Sequence, residues 1–325
     1  MREGWQRGEA ALALDKDQVE RLIHEAFPAA RLRTFAPALG GMANTNIKVL
    51  LADPPHAVLL RLYQRDPAQA AKEAALNRLV LRHGVPTARF LHAAPANEVT
   101  GGPYAILEWV EGPRLETALT GMTDAELEVL AQDIGRVLAR IHGIGFKEPG
   151  FLDAALQIAE PVDLGADGLR AFLRHSFVEG IGGERLGGAL TAELMSFVDR
   201  EGERLEAWLD RPCLTHSDFN GSNILIRRAG TAWVVAAVLD WEFAFSASPA
   251  IDFGNLLRQP LGSRQSFVDA LVAAYETAGG YLPPDWQAIA RIADLYAWAD
   301  FLARPTASPA LIADARRVIR QTIGR

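Results

Sequence analysis

His216-Ser217-Asp218-Phe219-Asn220-Gly221-Ser222-Asn223 is followed, after a strand-like run, by Leu239-Asp240-Trp241-Glu242. Asp218 is a carboxylate able to accept a proton, and Asn223 and Asp240 carry the oxygen donors that hard cations such as Mg²⁺ prefer. Asn223 and Asp240 also flank one β-like hairpin, residues 224–226 and 233–239, whose closure would bring the two side chains together. Taken singly, each residue has a plainer reading: a loop Asp satisfying backbone N–H groups, an Asx turn, a strand-end cap. The shared hairpin argues against two unrelated turns at Asn223 and Asp240, and the complete spacing argues for Asp218.

Working outward, the pattern before this segment falls into two parts. Val19, Leu22, Ile23 and Ala26 are spaced for a helix over residues 15–27, ended by Pro28. β-like runs follow at 31–39, 47–51 and 57–63, separated by Gly40-Gly41 and by Asp53-Pro54-Pro55. Asp66-Pro67-Ala68-Gln69 reads as a capped helix start running to His83, with Gly84 as the stop. Runs at 89–94 and 104–110 complete an expected five-stranded sheet with one inserted helix. Beyond Gly112, Thr123-Asp124-Ala125-Glu126 is a capping box, and Leu127, Leu130, Ile134, Leu138 and Ile141 mark one face of a long helix ending at Gly143. Residues 144–209 read as mostly helical, as does the chain after the hairpin.

The 325 residues are 49% hydrophobic, which permits a large buried core. The longest apolar run, 232–239, falls far short of the roughly 20 residues a membrane span requires, and no signal-peptide core follows the N-terminus. The expectation is a cytoplasmic protein without a membrane partner. A formal charge of −7 with dispersed Lys and Arg argues against a nucleic-acid partner and weakly favours a cationic small molecule. The one cysteine, Cys213, reads as a small buried hydrophobe.

The segments 214–225 and 238–242, with Asp252 beyond them, resemble the aminoglycoside phosphotransferase and choline kinase superfamily, small-molecule relatives of protein kinases. The resemblance extends from about residue 39 to 256. It implies an α+β, two-lobed, protein-kinase-like fold: an N-terminal nucleotide-binding lobe over 1–109, and a larger, mainly helical catalytic and substrate-binding lobe over 110–325. It implies ATP and Mg²⁺ as cofactors and a small-molecule hydroxyl as phosphate acceptor. Asp218 would orient that hydroxyl and take its proton late, while Asn223 and Asp240 would hold the metal. His216 and Asp252 would brace the loop. Gly41 and Asn44, in a loop between two β-like runs, would close over phosphates. Arg61 stands where many kinases place a phosphate-binding Lys, and choline-kinase-like members use Arg there. Glu73, on the next helix, would pair with Arg61. The backbone C=O of Glu108 and N–H of Val110 would read the adenine edge.

Glu242 reads equally as a helper for metal or cationic substrate and as a solvated or capping carboxylate. Asp285, Trp286, Tyr296, Trp298 and Asp300 could form an acidic, aromatic acceptor pocket, although aromatics at helical spacing more often pack in a core. Aminoglycosides, amino alcohols, sugars and amino acids all remain as acceptors. Two rivals stand beside this reading. A non-catalytic nucleotide-binding scaffold gains from Arg61 and the unusual glycine loop. A protein kinase is disfavoured because no Arg follows His216 and no Asp-Phe-Gly stands at Asp240.

Overall fold

The computed structural model describes residues 12–38, 44–52, 55–64, 66 and 68–325. Helix α1 (Lys16–Ala26) opens with the Asp15 carboxylate accepting from the Gln18 N–H, in a reciprocal box that satisfies two N-terminal groups. Strands β1 (Leu32–Pro37), β2 (Thr45–Leu51) and β3 (His56–Leu62), helix α2 (Gln69–Arg82), and strands β4 (Phe90–Ala94) and β5 (Tyr104–Glu108) follow. The strands form one antiparallel sheet in the order β1-β2-β3-β5-β4. Strict alternation in β2 sends Ile47, Val49 and Leu51 to the face covered by Val19, Leu22 and Ile23 of α1. The opposite pleat of β2 and β3 carries Asn46 and Arg61, which stand directly across from each other.

Helix α2 begins two residues later than the sequence signal, which puts the cap at Asp66 and the first helical position at Pro67. The Asp66 carboxylate accepts from the Ala68 N–H and from the Gln69 side chain, but regular helix starts only at Gln69. Asp66 therefore shapes the turn into the helix, and Pro67 lies outside the described residues. β5 likewise stops at Glu108 instead of Val110, because Val110 lies beyond the register that pairs Glu108 with Val58.

Past the connector come α3 (Leu115–Ala118) and α4 (Asp124–His142), whose Thr123–Glu126 capping box is present as expected. The segment expected to be mostly helical also contains strands β6 (Gly150–Leu152) and β7 (Ile158–Pro161), before helices α5 (Ala166–Arg174), α6 (Gly182–Leu186) and α7 (Gly188–Glu201). Strands β8 (Cys213–Thr215), β9 (Ile224–Ala229), β10 (Ala232–Val238) and β11 (Phe245–Ala247) lead to α8 (Ala250–Leu256), α9 (Gln265–Thr277), α10 (Trp286–Ala293), α11 (Leu295–Ala303) and α12 (Pro309–Thr322). β6 and β7 join β8 and β11 in a four-stranded sheet ordered β7-β6-β11-β8. Strands of three or four residues carry too little alternation to be read from sequence. The α+β class holds: an antiparallel sheet with its helices, then a mainly helical body with small sheets.

One large hydrophobic cluster fills that body, with α4 packed against α9. Gly135 makes their close approach possible, since a Cβ there would collide with the carbonyl oxygen of Leu271. Gly112 does the same for the connector: its φ is +147°, and a side chain would run into the carbonyl oxygen of Ile226. The Ile226 N–H donates to Pro113 O at 3.0 Å, so the connector is stitched onto β9. On the other side, Val238 N donates to Pro86 O, and Thr87 Oγ1 to Val238 O. The sheet is thus fixed to both strands of the β9–β10 hairpin. Among the described residues no helix is long and apolar enough to cross a membrane.

Candidate active site

The β9–β10 hairpin places its two flanking residues side by side. Ile224 pairs with Val238, and the Leu239 N–H donates to Asn223 O at 2.8 Å, leaving Asn223 and Asp240 at the open end. Asp240 sits in the left-handed region (φ 59°, ψ 64°), as does Ser217 (φ 64°). Non-glycine residues hold that conformation only where surrounding bonds fix it.

Those bonds are present for the 216–223 loop. Asp252, fully buried on α8, accepts from the His216 N–H at 2.9 Å and the Ser217 N–H at 2.8 Å. His142 Nε2, at the end of α4, lies 3.2 Å from the same carboxylate, and its Nδ1 lies 3.0 Å from the Tyr275 hydroxyl. The ring of His216 lies wholly inside: Nε2 donates to Leu239 O at 2.8 Å, and Nδ1 accepts from the Asp218 N–H at 3.3 Å. That bond pattern assigns the Nε2–H tautomer and occupies both ring nitrogens. His216 and Asp252 both brace the backbone. Ser217 Oγ adds a bond to Phe243 O at 2.8 Å.

Asp218 emerges from this scaffold with each carboxylate oxygen addressed by an amide. Asn220 Nδ2 donates to Oδ1 at 2.6 Å, and Asn223 Nδ2 donates to Oδ2 at 2.8 Å and to Asp218 O at 3.0 Å. Burial pushes the Asp218 carboxyl up, while the Arg258 charge and the Asn223 bond oppose the rise. Asn223 spends its NH₂ on Asp218, so its amide oxygen is the atom left to meet a cation.

Across from the loop, Arg61 of β3 uses the whole fork of its guanidinium. Nε donates to Asn46 Oδ1 at 3.0 Å, NH1 pairs with Glu73 of α2, and NH2 pairs with Asp240 Oδ1 at 2.9 Å. Burial works to discharge Arg61, and the Glu73 and Asp240 carboxylates more than offset it, so the cation is held above its ordinary value. Glu73 Oε2 also accepts from the Tyr63 hydroxyl at 2.7 Å. The Arg61–Glu73 pair is therefore in place, and it includes two residues, Asn46 and Tyr63, that the sequence did not single out.

Glu242 lies on the 3₁₀ turn Trp241–Phe243 and accepts from Asn44 Nδ2 at 2.9 Å. Burial, then the negative charge of Asp240, push its carboxyl up to about 7. Glu242 is neither freely solvated nor a cap: it joins the loop before β2 to the Asp240 turn. Gly41 lies outside the described residues. At the connector, Glu108 takes Arg89 Nε on its side chain at 3.0 Å, and among the described residues no carbonyl accepts the Val110 N–H. Lys48 spans from β2 to Glu111 at 3.2 Å and lies 4.1 Å above the Trp109 ring.

The residues considered for an acceptor pocket are engaged separately. Trp298 is buried and donates to Asp294 Oδ2 at 2.7 Å, Trp286 packs on Phe253, and Tyr296 packs on Phe172. Asp285 pairs with Arg204 and Asp300 with Arg304. The three aromatics pack in or against the core, and the two carboxylates form exposed ion pairs. Cys213 is buried and burial pushes its thiol up, consistent with an inert apolar side chain.

Among the described residues no three His, Cys, Asp or Glu side chains form a self-contained metal cage. An amide oxygen from Asn223 and a carboxylate from Asp240 are instead a partial set of hard donors. Such a set suits Mg²⁺, which takes one or two protein oxygens and completes its shell with phosphates and water.

Solved structures with the same fold include the GDP complex of aminoglycoside 2'-phosphotransferase-IIIa, 16% identical, with a TM-score of 0.69 over 96% of this chain and 99% of that one. The streptomycin-ATP ternary complex of APH(2")-IIa is 15% identical, with a TM-score of 0.58 over 95% of this chain and 97% of that one. A protein from Ralstonia eutropha provisionally described as an aminoglycoside phosphotransferase is 19% identical, with a TM-score of 0.64 over 96% of each chain. At such identities the likeness is one of fold: two-lobed and kinase-like. A comparison with curated proteins finds none that matches. The model of the phosphotransferase enzyme family matches residues 34–292, which takes in the sheet, the connector, the 216–223 loop, Asp240 and Asp252; the chain belongs to that family.

Proposed function

We propose that this protein is an ATP- and Mg²⁺-dependent small-molecule kinase that moves the γ-phosphoryl group onto an acceptor hydroxyl. The observation that carries the reading is the guanidinium of Arg61 held between Glu73 and Asp240. That arrangement fixes a permanent cation beside a metal-ligand candidate, on the side of the site facing Asp218.

Asp218 would accept a hydrogen bond from the acceptor hydroxyl and align its oxygen with the phosphorus. As the new P–O bond forms and the β–γ bridging bond breaks, the hydroxyl proton passes to Asp218. A carboxyl raised by burial takes that proton more readily than an exposed one. The amide donors from Asn220 and Asn223 keep the carboxylate from rotating during the transfer. Arg61 would balance phosphate charge, and the fork bonds to Glu73 and Asn46 fix where it does so. Asn223 and Asp240 would hold Mg²⁺, which supplies charge neutralisation on the phosphates when bound. Glu108 O and Val110 N–H would read the base, and Gly41 and Asn44 would cover the phosphates. We place the division between the lobes at residues 109 and 110, where β5 gives way to the connector.

The acceptor is proposed as a hydroxyl of an aminoglycoside, amino alcohol, sugar or amino acid. Structures of the same fold include complexes with kanamycin, gentamicin and streptomycin, which lend the first class support. ATP consumption across such a panel identifies the acceptor. Asp218→Ala is expected to lower turnover on the best acceptor about a hundred- to ten-thousandfold while nucleotide still binds. Near-normal turnover in that variant removes Asp218 from the mechanism.

A further inference from the structure

Lys72 precedes Glu73 on α2 and is only 9% exposed. Among the described residues no oxygen accepts a hydrogen bond from its ammonium and no carboxylate lies within ion-pair distance. This is an unusual state for a lysine. Its stem is buried while the ammonium keeps contact with solvent and has no acceptor among the described residues, so it is open to a ligand.

The surroundings indicate where the charge points. The carboxylates acting on Lys72 are Glu242 first, then Asp66 and Glu73, while burial lowers its pKa. Glu242 is the residue tied to Asn44, and α2 packs on the 3₁₀ turn that carries Glu242. Lys72 thus projects from the sheet side toward the Asp240–Glu242 turn, with Glu73 and its bound Arg61 next to it in sequence. Arg61 is already anchored through Asn46, Glu73 and Asp240, with two of its five N–H groups left over, whereas Lys72 has no anchor among the described residues. Arg61 is thus tied to protein groups, and Lys72, among the described residues, is not.

We propose that Lys72 is a second phosphate-binding residue, whose ammonium takes a non-bridging oxygen of the nucleotide's phosphate chain opposite Arg61. This rests on the kinase reading given above. A phosphate oxygen would supply the acceptor the lysine lacks, in a charge-assisted bond that an ammonium makes without demanding bidentate geometry. Arg61 then acts mainly as the fixed strut between Glu73 and Asp240, and Lys72 as the group that engages the ligand.

The test compares wild type, Lys72→Met and Lys72→Arg for binding of Mg²⁺-ATP and of adenosine by calorimetry, with melting temperature recorded for each protein alone. Methionine keeps the buried stem and removes the charge. The expected result is about a ten- to hundredfold weaker affinity for Mg²⁺-ATP in Lys72→Met, unchanged adenosine binding, and most of the loss recovered in Lys72→Arg. Equal weakening for adenosine and ATP would mean that Lys72 only shapes the site, and would overturn the proposal. So would wild-type affinity in Lys72→Met, with the kinase reading left standing. Failure of the wild-type protein to bind Mg²⁺-ATP would overturn both, and is distinguished by appearing before any substitution is made.

Discussion

Arg61 shows how much one side chain can be asked to do. Its three donor positions reach a strand neighbour, a helix and the Asp240 turn, so the residue is a joint as well as a charge. Lysine could satisfy one of those partners at a time. Arg61→Lys is therefore expected to stay folded but to lose activity about ten- to a hundredfold, through misplacement of Glu73 and Asp240 relative to each other. Arg61→Met leaves two carboxylates facing each other without a counter-ion, one of them buried, and should cost about 3–5 kcal/mol in denaturant unfolding. Equal stability of the two variants would show that the charge at this position contributes nothing to stability. The residues of the 216–223 loop and Asp240 were legible in sequence because chemistry restricts them to few side-chain types at fixed spacing. Asn46, Tyr63 and His142 were not, since each acts through a partner brought close only by folding: Arg61, Glu73 and Asp252.

At the scale of an element, α4 is the clearest case of sequence dictating structure, with its apolar stripe and its Thr123–Glu126 box both realised. Glu126 accepts from the Thr123 N–H and, at its other oxygen, from Arg228 of β9, joining the helix start to the hairpin. The Thr123 backbone bond, then Arg228, hold its carboxyl down to about 2. A depressed carboxyl stabilises the folded state fully above the ordinary value of 4.5 and loses that contribution as pH falls toward 2. Melting temperature of the wild type should accordingly fall more steeply across that interval than that of Glu126→Gln, and the two curves should converge near the lower end. Parallel curves would show that the box contributes nothing through charge. Other elements were less legible. β7 pairs with β6 and β6 with β11, a strand nearly a hundred residues away in sequence, so their three- or four-residue runs hold no periodic signal of their own. The start of α2 was misplaced for a related reason: Asp66 has capping chemistry, but uses it on a turn ahead of the helix.

For the whole molecule, the N-terminal part meets the helical body through the Gly112–Pro113 connector on β9, through Pro86 and Thr87 on the end of β10, through Arg61 and Asn44 on the Asp240–Glu242 turn, and through α2. A ligand bridging both sides should stiffen this junction. At a hundred times its dissociation constant, Mg²⁺-ATP is expected to add about 2.7 kcal/mol to stability. In Asp240→Ala, nucleotide should still raise the melting temperature, but the further increment on adding Mg²⁺ should vanish. An intact Mg²⁺ increment would reject Asp240 as a ligand. The two-part layout was legible because strand-like and helix-like periods segregate along the chain, whereas the attachments to β9 and β10 depend on a glycine and two proline carbonyls that carry no pattern. The clasp of Asp252 on His216 and Ser217 has a bearing on control. A loop held in shape by contacts internal to the chain needs no partner or modification to order it. Such a protein idles in readiness: its progress curves should be linear from the first turnover, and its output in a cell should follow how much of it is made and how much acceptor arrives.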